Sequence, residues 1–154
     1  MKFKEWIINQ EQEEPQPPHA LPQPGVVSFD FDGVLHTDII PNTHHPISHF
    51  DTDLTPNEQM HQQLRQEAAK NKVVIVSARC PESQTIISDF CKQYALPITG
   101  IYTTCDRPKL PILLKLNAIR HYDDNLKVGR ELSNSDIEFI YVKVPVNEKM
   151  KKHL

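Results

Sequence analysis

Two aspartates, two positions apart, follow a short apolar run near the start of the chain and could perform phosphate chemistry. The segment is SFDFDGVL, residues 28–35, with carboxylates at Asp30 and Asp32. Side chains alternate along a strand, so both carboxylates project to one side while Phe31 points into apolar packing. Gly33 permits a sharp turn and the close approach of a phosphate. Two like charges this close need a cation, and Mg²⁺ accepts one or two carboxylates together with a phosphate oxygen. The alternative is an ordinary surface turn rich in aspartate.

Further polar residues follow two other apolar runs. Ser77 comes after the run VVIV, and Asp123 and Asp124 come after a run that ends at residue 122. Ligands bind at the carboxyl ends of strands in open α/β sheets, so we expect these side chains to meet Asp30 at one edge. Arg79 could reach a phosphate there, or it could cap its own loop.

The elements that must position these residues alternate along the chain from residue 25 onward. The patterns predict strands at 26–29, 72–76, 98–103, 119–122 and 137–144, and helices at 55–70, 82–94, 108–118 and 126–132. Thr55 and Pro56 match an N-cap and first helical position, and Glu58 completes a capping box. Alternating strands and helices favour a parallel sheet with right-handed crossovers. We therefore predict a Rossmann-like three-layer α/β sandwich around a mostly parallel sheet of about five strands.

Three of these segments together resemble the signature motifs of one enzyme superfamily. FDFDGVL, VVIVSAR and HYDDN occur in order across residues 26–142. This set is similar to motifs of the haloacid dehalogenase-like hydrolases, in a compact form without a cap domain. The resemblance implies a phosphatase that forms an aspartyl-phosphate. It extends, more weakly, to the phosphatase modules found beside polynucleotide repair enzymes.

The resemblance also implies a role for each site residue. Asp30 would attack the phosphorus, and Asp32 would protonate the leaving oxygen and then activate water. Mg²⁺ would be held by Asp30, the Asp32 backbone carbonyl, and the pair Asp123 and Asp124. Ser77 would hydrogen-bond a phosphate oxygen, and a lysine would complete the charge neutralisation.

The choice of lysine and the shape of the fourth strand are the less regular parts of this match. Lys109 opens the third predicted helix at the expected edge, whereas Lys115 lies in mid-helix, where an ordinary solvated residue is expected. The fourth strand is more polar than the superfamily's usual pattern over residues 120–122. Asn125 could orient the acid pair or cap the helix that follows it.

The spacing between motifs bears on the substrate. Neither the gap from residue 35 to 72 nor the gap from 79 to 109 can hold a large cap domain. The site should therefore be open, which suits a macromolecular phosphate such as a nucleic-acid end or a phosphoprotein, or a nucleotide. Small phosphomonoesters remain an alternative.

Two other functions are compatible with parts of the sequence. One is a catalytically idle phosphate-binding or partner-docking module of the same fold. The other is a sugar transferase with a metal-binding DxD motif, which would not need Ser77 or the second acid pair. The histidines at 36, 44, 45 and 49 could form a second metal site, but their spacing favours a polar loop.

Composition sets the remaining expectations. Residues 1–24 read as a tail or linker rich in proline and glutamate, and residues 25–154 as the phosphatase domain. The first residues of the tail could pack as a short helix on the domain, or they could dock a partner. A net charge of -3 gives no support for broad attraction to nucleic acid. Three cysteines without a CxxC pair do not suggest a disulfide framework and suit a cytoplasmic protein. No apolar run approaches the ~18 residues of a membrane span, and the N-terminus lacks a signal-peptide core.

Overall fold

The strands of the chain form a five-stranded sheet in which every neighbouring pair is parallel. The computed structural model describes residues 23–38 and 53–143. The strands are β1 Val26–Phe29, β2 Lys72–Ser77, β3 Gly100–Thr103, β4 Ala118–Asp123 and β5 Glu138–Tyr141. They lie in the order β3-β2-β1-β4-β5. The predicted parallel α/β sheet is confirmed.

In the described part of the chain, four α-helices cover the two faces of this sheet. They are α1 Glu58–Ala68, α2 Gln84–Gln93, α3 Leu110–Lys115 and α4 Leu126–Leu132, with a 3₁₀ turn at Pro81–Ser83 ahead of α2. Leu64 of α1 and Phe90 of α2 belong to one apolar cluster, and Leu113 of α3 and Leu132 of α4 belong to another. The molecule is therefore the three-layer sandwich that the sequence predicts. Among the described residues no cap domain is inserted.

The central strands are apolar on both faces because helices cover both. In β2, Val73 and Ile75 join the cluster beneath α1 and α2, while Val74 and Val76 join the one beneath α3 and α4. A parallel strand buried on both sides reads as a continuous apolar run rather than an alternating one. Ser28 interrupts such a run in β1 and is fully buried.

The predicted start of the first helix is wrong. Asn57, rather than Thr55, is the N-cap, and its side chain accepts a hydrogen bond from the Met60 N–H. Pro56 lies outside the helix and forms an antiparallel bridge with His36. The backbone of this segment is already occupied, since the Thr55 carbonyl accepts the Thr37 N–H, so the helix begins only after it.

Other boundaries differ by a few residues. The third helix ends at Lys115 rather than at residue 118, because Asn117 adopts a left-handed φ of 57° and Ala118 already belongs to β4. Strands β3 and β5 are shorter than predicted, and the second helix begins with a 3₁₀ turn. The predicted tail at 1–22 and the histidines at 44, 45 and 49 lie outside the described residues. Within the described ranges no helix has the length and apolarity that a membrane crossing requires.

The unusually polar β4 strand is explained by a buried carboxylate on α1. Arg120 donates to Glu67 through Nε at 2.7 Å and through Nη2 at 3.0 Å, and the Tyr122 hydroxyl donates at 2.5 Å. Tyr122 also stacks on Phe29, its register partner in β1, with ring centroids 4.2 Å apart. Burial disfavours the charged carboxylate, but these hydrogen bonds hold the pKa of Glu67 below its usual value of 4.5.

We expect Glu67→Gln to weaken the acid sensitivity of folding. A carboxylate whose pKa is lowered by folding contributes stability above its unfolded pKa, and this contribution is lost as the pH falls through the folded pKa. At pH 7 the variant should lose about 1–3 kcal/mol, the usual range for hydrogen bonds to a charged group. The difference from the wild type should shrink as the pH falls below the ordinary glutamate pKa of 4.5, since the folded wild type then loses the advantage of its lowered pKa. Denaturant unfolding at pH 7 and pH 3.5 measures both values, and an equal difference at the two pH values would contradict the account.

A disulfide between Cys80 and Cys105 overturns the expectation that the cysteines are unpaired. The two residues are 25 positions apart, in the loops that follow the neighbouring strands β2 and β3. Cys105 also donates its backbone N–H to the Arg79 carbonyl at 3.0 Å, so the loops run side by side. This proximity depends on the sheet order, which spacing alone does not give. The cysteine count therefore no longer supports a reducing compartment, and the cytoplasmic placement stays a prediction.

Reduction of this disulfide should destabilise the protein by about 2–4 kcal/mol, because the bond restricts the unfolded chain. Unfolding midpoints with and without dithiothreitol measure the effect, and a Cys80→Ser/Cys105→Ser variant should be insensitive to the reductant. Titration of three thiols in the unreduced, denatured wild type would show that the bond does not form.

Candidate functional site

Three elements bring two carboxylates and one ammonium group together at the carboxyl edge of the sheet. Asp30 follows β1, Asp123 ends β4, and Lys109 immediately precedes α3. Lys109 Nζ lies 3.0 Å from Asp30 Oδ1 and 2.7 Å from Asp123 Oδ2. All three residues are buried. The sequence predicts that residues 30, 77, 109 and 123 converge, and the structure brings 30, 109 and 123 into contact.

Burial controls the protonation of these groups. It raises the pKa of Asp30 well above its ordinary value; Lys109 opposes this increase, and the neighbouring carboxylates of Asp123 and Asp124 add to it. Asp123 shows the opposite result, because hydrogen bonds from His121 and Lys109 outweigh its burial and hold its pKa low. Burial disfavours the charge on Lys109, yet the two carboxylates raise its pKa and keep it cationic.

A third carboxylate completes a set that could hold a metal ion. One carboxylate oxygen from each of Asp30, Asp123 and Asp124 lies within 4.8 Å of the others. Loss of solvation and the charge of Asp123 raise the pKa of Asp124 to about 6. Gly33 makes room for this carboxylate, since a Cβ at that position would overlap Asp124, and its φ of +78° is itself unfavourable for other residues. Three oxygen donors at this spacing fit a hard divalent cation.

The second aspartate of the motif is held by a separate set of donors. Asp32 receives Arg79 Nε on one oxygen and Arg79 Nη2 on the other, both at 2.9 Å. His36 Nε2 lies 2.8 Å from Asp32 Oδ1. Burial disfavours the anion, but the hydrogen bonds from His36 and Arg79 bring the pKa of Asp32 down to about 2. Asp32 is therefore an anion at neutral pH.

The structure gives His36 a role that the sequence analysis did not. Its Nδ1 accepts the Asp38 N–H at 3.2 Å, so the ring carries its proton on Nε2 and donates it to Asp32. The ring is fully buried and packs edge-on to Phe31 at 4.8 Å. The position of His36, four residues after Asp32 across a tight turn, is the sequence signal for this contact. The sequence also places His36 close to the histidines at 44, 45 and 49, which favours the polar-loop interpretation instead.

A second histidine serves the other acid. His121 Nε2 lies 2.8 Å from Asp123 Oδ2, and its Nδ1 lies 2.8 Å from Ser28 Oγ. Ser28 and His121 are register partners in β1 and β4 and share the face beneath α3 and α4. The polarity of the fourth strand is visible in the sequence, but the contact of His121 with Ser28 follows only from the strand order, which places β4 beside β1.

The remaining predicted site residues have mixed outcomes. Ser77 is buried at the end of β2, and its hydroxyl accepts the Arg79 N–H at 3.1 Å. Arg79 closes its own loop through this bond and also donates two hydrogen bonds to Asp32. Contacts of Ser77 and Arg79 with phosphate stay predictions. Lys115, the alternative lysine, is exposed in the last turn of α3, at the end of the helix opposite Lys109. Asn125 caps α4 and also donates its N–H to Asp123 Oδ1 at 3.0 Å, so both roles considered for it are present.

The acids open into a cleft of about 550 Å³. Its walls include Asp30, Asp32, Lys109 and Asp124, with Arg107 and Lys127 as additional cationic residues. A larger groove of about 920 Å³ lies between α2 and β3, and the acids do not line it. The smaller cleft is the candidate functional site because the charged groups converge there.

The chain is similar in fold to solved structures from an RNA repair assembly. A chain of the Pnkp1/Rnl/Hen1 RNA repair complex superposes with a TM-score of 0.65 at 17% identity, over 79% of this chain and 43% of that chain. A chain of a Pnkp1/Rnl/Hen1 complex superposes with a TM-score of 0.62 at 19% identity, over 82% and 47%. These identities show the fold alone, and this chain spans less than half the length of either. No family model and no curated protein matches it.

Replacing Lys109 tests whether one cation holds the site together. Lys109→Met leaves two buried carboxylates without their partner, which should cost about 3–5 kcal/mol of stability at pH 8. The cost should be smaller at pH 5 than at pH 8, because lowering the pH favours the neutral form of Asp30, whose pKa is raised. Denaturant unfolding at the two pH values measures this difference.

Lys115→Met, in the last turn of the helix that Lys109 precedes, is the matched control, with an expected change within about 0.5 kcal/mol. If both variants lost the same stability, the shared ion pair would not be the organising contact.

Proposed function

We propose that this chain is a Mg²⁺-dependent phosphomonoesterase that works through an aspartyl-phosphate on Asp30. The observation that carries the proposal is the ammonium group of Lys109, which bridges Asp30 and Asp123 beside a third carboxylate. A buried carboxylate can attack a phosphate dianion only where positive charge is already in place. The resemblance of the three motifs to those of the haloacid dehalogenase-like hydrolases supports the same reading.

The first half of the reaction would transfer the phosphoryl group to the protein. Asp30 attacks phosphorus, and the bond from phosphorus to the ester oxygen breaks. Lys109 stabilises the charge that spreads over the phosphoryl oxygens, since its ammonium is fixed 3.0 Å from the nucleophile. The leaving oxygen takes a proton from Asp32.

The second half would return the phosphoryl group to water. Water gives a proton to Asp32 and attacks the phosphorus, and the bond to Asp30 breaks. Asp32 enters this step as an anion, since it gave up its proton in the first half and has a pKa of about 2 in the free protein. A bound phosphate dianion raises the pKa of a neighbouring carboxylate, which brings Asp32 towards the protonated form that the first step needs.

The divalent ion would be held by Asp30, Asp123 and Asp124. When bound, Mg²⁺ would neutralise phosphate charge and polarise the transferred group. The raised pKa values of Asp30 and Asp124 support this site, because each carboxylate lacks sufficient compensation in the protein alone. Asp123 needs it least, since three donors already reach its oxygens.

A phosphate on a macromolecule or a nucleotide is the substrate class that we favour, with a nucleic-acid end as the first candidate. The described connections between strands contain no cap domain that would enclose a small molecule. Structures of similar fold come from an RNA repair complex, which supports the same choice. Arg107 and Lys127 in the walls of the cleft could contact phosphates beyond the scissile one.

Aspartate substitutions should separate the chemical roles. With p-nitrophenyl phosphate and Mg²⁺, Asp30→Asn should reduce kcat on the order of 10³-fold or more because the nucleophile is lost. Asp32→Asn should reduce kcat about 10²- to 10⁴-fold, the usual contribution of a general acid or base. Glu131→Gln, which changes another acid of the cleft wall, is the matched control and should stay near wild type. Addition of EDTA should abolish turnover.

The assay also addresses a second function, a phosphate-binding module without turnover. The grip of Arg79 and His36 on Asp32 favours that alternative, because a clamped anion is a poor acid. The panel should therefore include nucleotides, sugar phosphates, phosphopeptides and oligonucleotides phosphorylated at the 3′ or 5′ end. If the folded protein binds Mg²⁺ and phosphate but hydrolyses no member of the panel, the result would favour the binding module over the enzyme.

A further inference from the structure

A row of buried polar groups crosses a layer that is otherwise apolar. Ser28, His121 and Asp123 are each fully buried and are linked by hydrogen bonds of 2.8 Å. They lie on the sheet face that packs beneath α3 and α4, where the neighbouring strand supplies Val74 and Val76. Burying a serine and a histidine costs free energy unless both are hydrogen-bonded. Here both are hydrogen-bonded, and they stand where the neighbouring strand is apolar, which points to a role beyond packing.

The two contacts of His121 hold its ring in one orientation. A carboxylate only accepts, so His121 donates from Nε2 to Asp123 Oδ2. The Ser28 hydroxyl lies 2.8 Å from the other ring nitrogen, Nδ1. Ser28 therefore holds the ring so that its Nε2–H points at Asp123.

Neutralising charge is not what His121 contributes. Lys109 already places a full positive charge 2.7 Å from the same carboxylate oxygen. The ring N–H of His121 adds direction instead. With Lys109 and His121 on Oδ2 and the Asn125 N–H on Oδ1, the carboxylate plane of Asp123 is fixed from both sides.

We propose that His121, oriented by Ser28, is a positioning residue that sets the Asp123 carboxylate for a divalent cation shared with Asp30 and Asp124. This inference rests on the proposed metal site and deepens it. Residues that hydrogen-bond a metal ligand typically contribute 10- to 100-fold to metal affinity. His121 touches neither substrate nor ion and acts through Asp123.

Binding of Mn²⁺ to the full chain, followed by electron paramagnetic resonance without substrate, tests the proposal. His121→Leu and His121→Asn both remove the donor to Asp123, one apolar and one polar, and should weaken Mn²⁺ binding about 10- to 100-fold. His121→Gln can place an amide N–H close to the position of Nε2 and should restore most of the affinity. Ser28→Ala removes the contact that holds the His121 ring and should give a smaller loss of Mn²⁺ affinity.

A control on the same strand separates positioning from general damage. Arg120 faces α1 on the opposite side of the sheet and pairs with Glu67. Arg120→Gln should therefore lower the unfolding midpoint while Mn²⁺ affinity stays within about twofold of wild type, because no metal ligand loses a partner. Unfolding midpoints of all variants are measured alongside. If His121→Leu does not fold, the Asn and Gln pair still makes the comparison.

The outcomes are distinct. Loss of affinity in the Leu and Asn variants with recovery in the Gln variant supports the proposal. Normal Mn²⁺ affinity in the Asn variant, or equal loss in the Asn and Gln variants, overturns the role of His121 and leaves the metal site in place. Absence of any Mn²⁺ binding by the wild type overturns both this role and the metal-dependent function.

Discussion

The buried ammonium group of Lys109 is the contact on which the site depends. Asp30 and Asp123 end two neighbouring strands of a parallel sheet, so the topology forces two carboxylates into one buried corner. Without a cation between them, their repulsion and desolvation would have to be relieved by protonation. Lys109 lies between β3 and α3. It therefore connects the segment that follows an edge strand to the two acids that follow the central strands. The fold thus brings the two carboxylates together, and the fold in turn needs Lys109 to stabilise them.

Around this ion pair the four acids divide into two kinds. Asp32 and Asp123 each receive three hydrogen bonds, including one from a buried histidine, and both have lowered pKa values. Asp30 and Asp124 are under-compensated and have raised pKa values. A divalent cation would gain most at these two, whereas the saturated acids are already held in place.

The sequence predicted the features that follow from local pattern. The bounds of β1, the carboxyl-edge placement of Asp30, Ser77 and Asp123, and the preference for Lys109 over Lys115 all rest on strand ends and helix starts. Residue types and periodicity are sufficient for these.

What the sequence did not give depends on which strands are neighbours. The disulfide joins the loops after β2 and β3, and His121 meets Ser28 across β4 and β1. The first helix starts late because its predicted cap, Thr55, already accepts the Thr37 N–H, and Pro56 forms a bridge with His36. Each of these is a tertiary contact that competes with or adds to a local preference, so spacing along the chain cannot reveal it.

Anomalous diffraction from a crystal of the protein soaked in Mn²⁺ is the most direct measurement of the central claim. The account predicts one strong peak within bonding distance of carboxylate oxygens of Asp30, Asp123 and Asp124, with Lys109 still bridging the first two. A peak elsewhere, or Lys109 turned away from Asp30 with the three carboxylates apart, would contradict it.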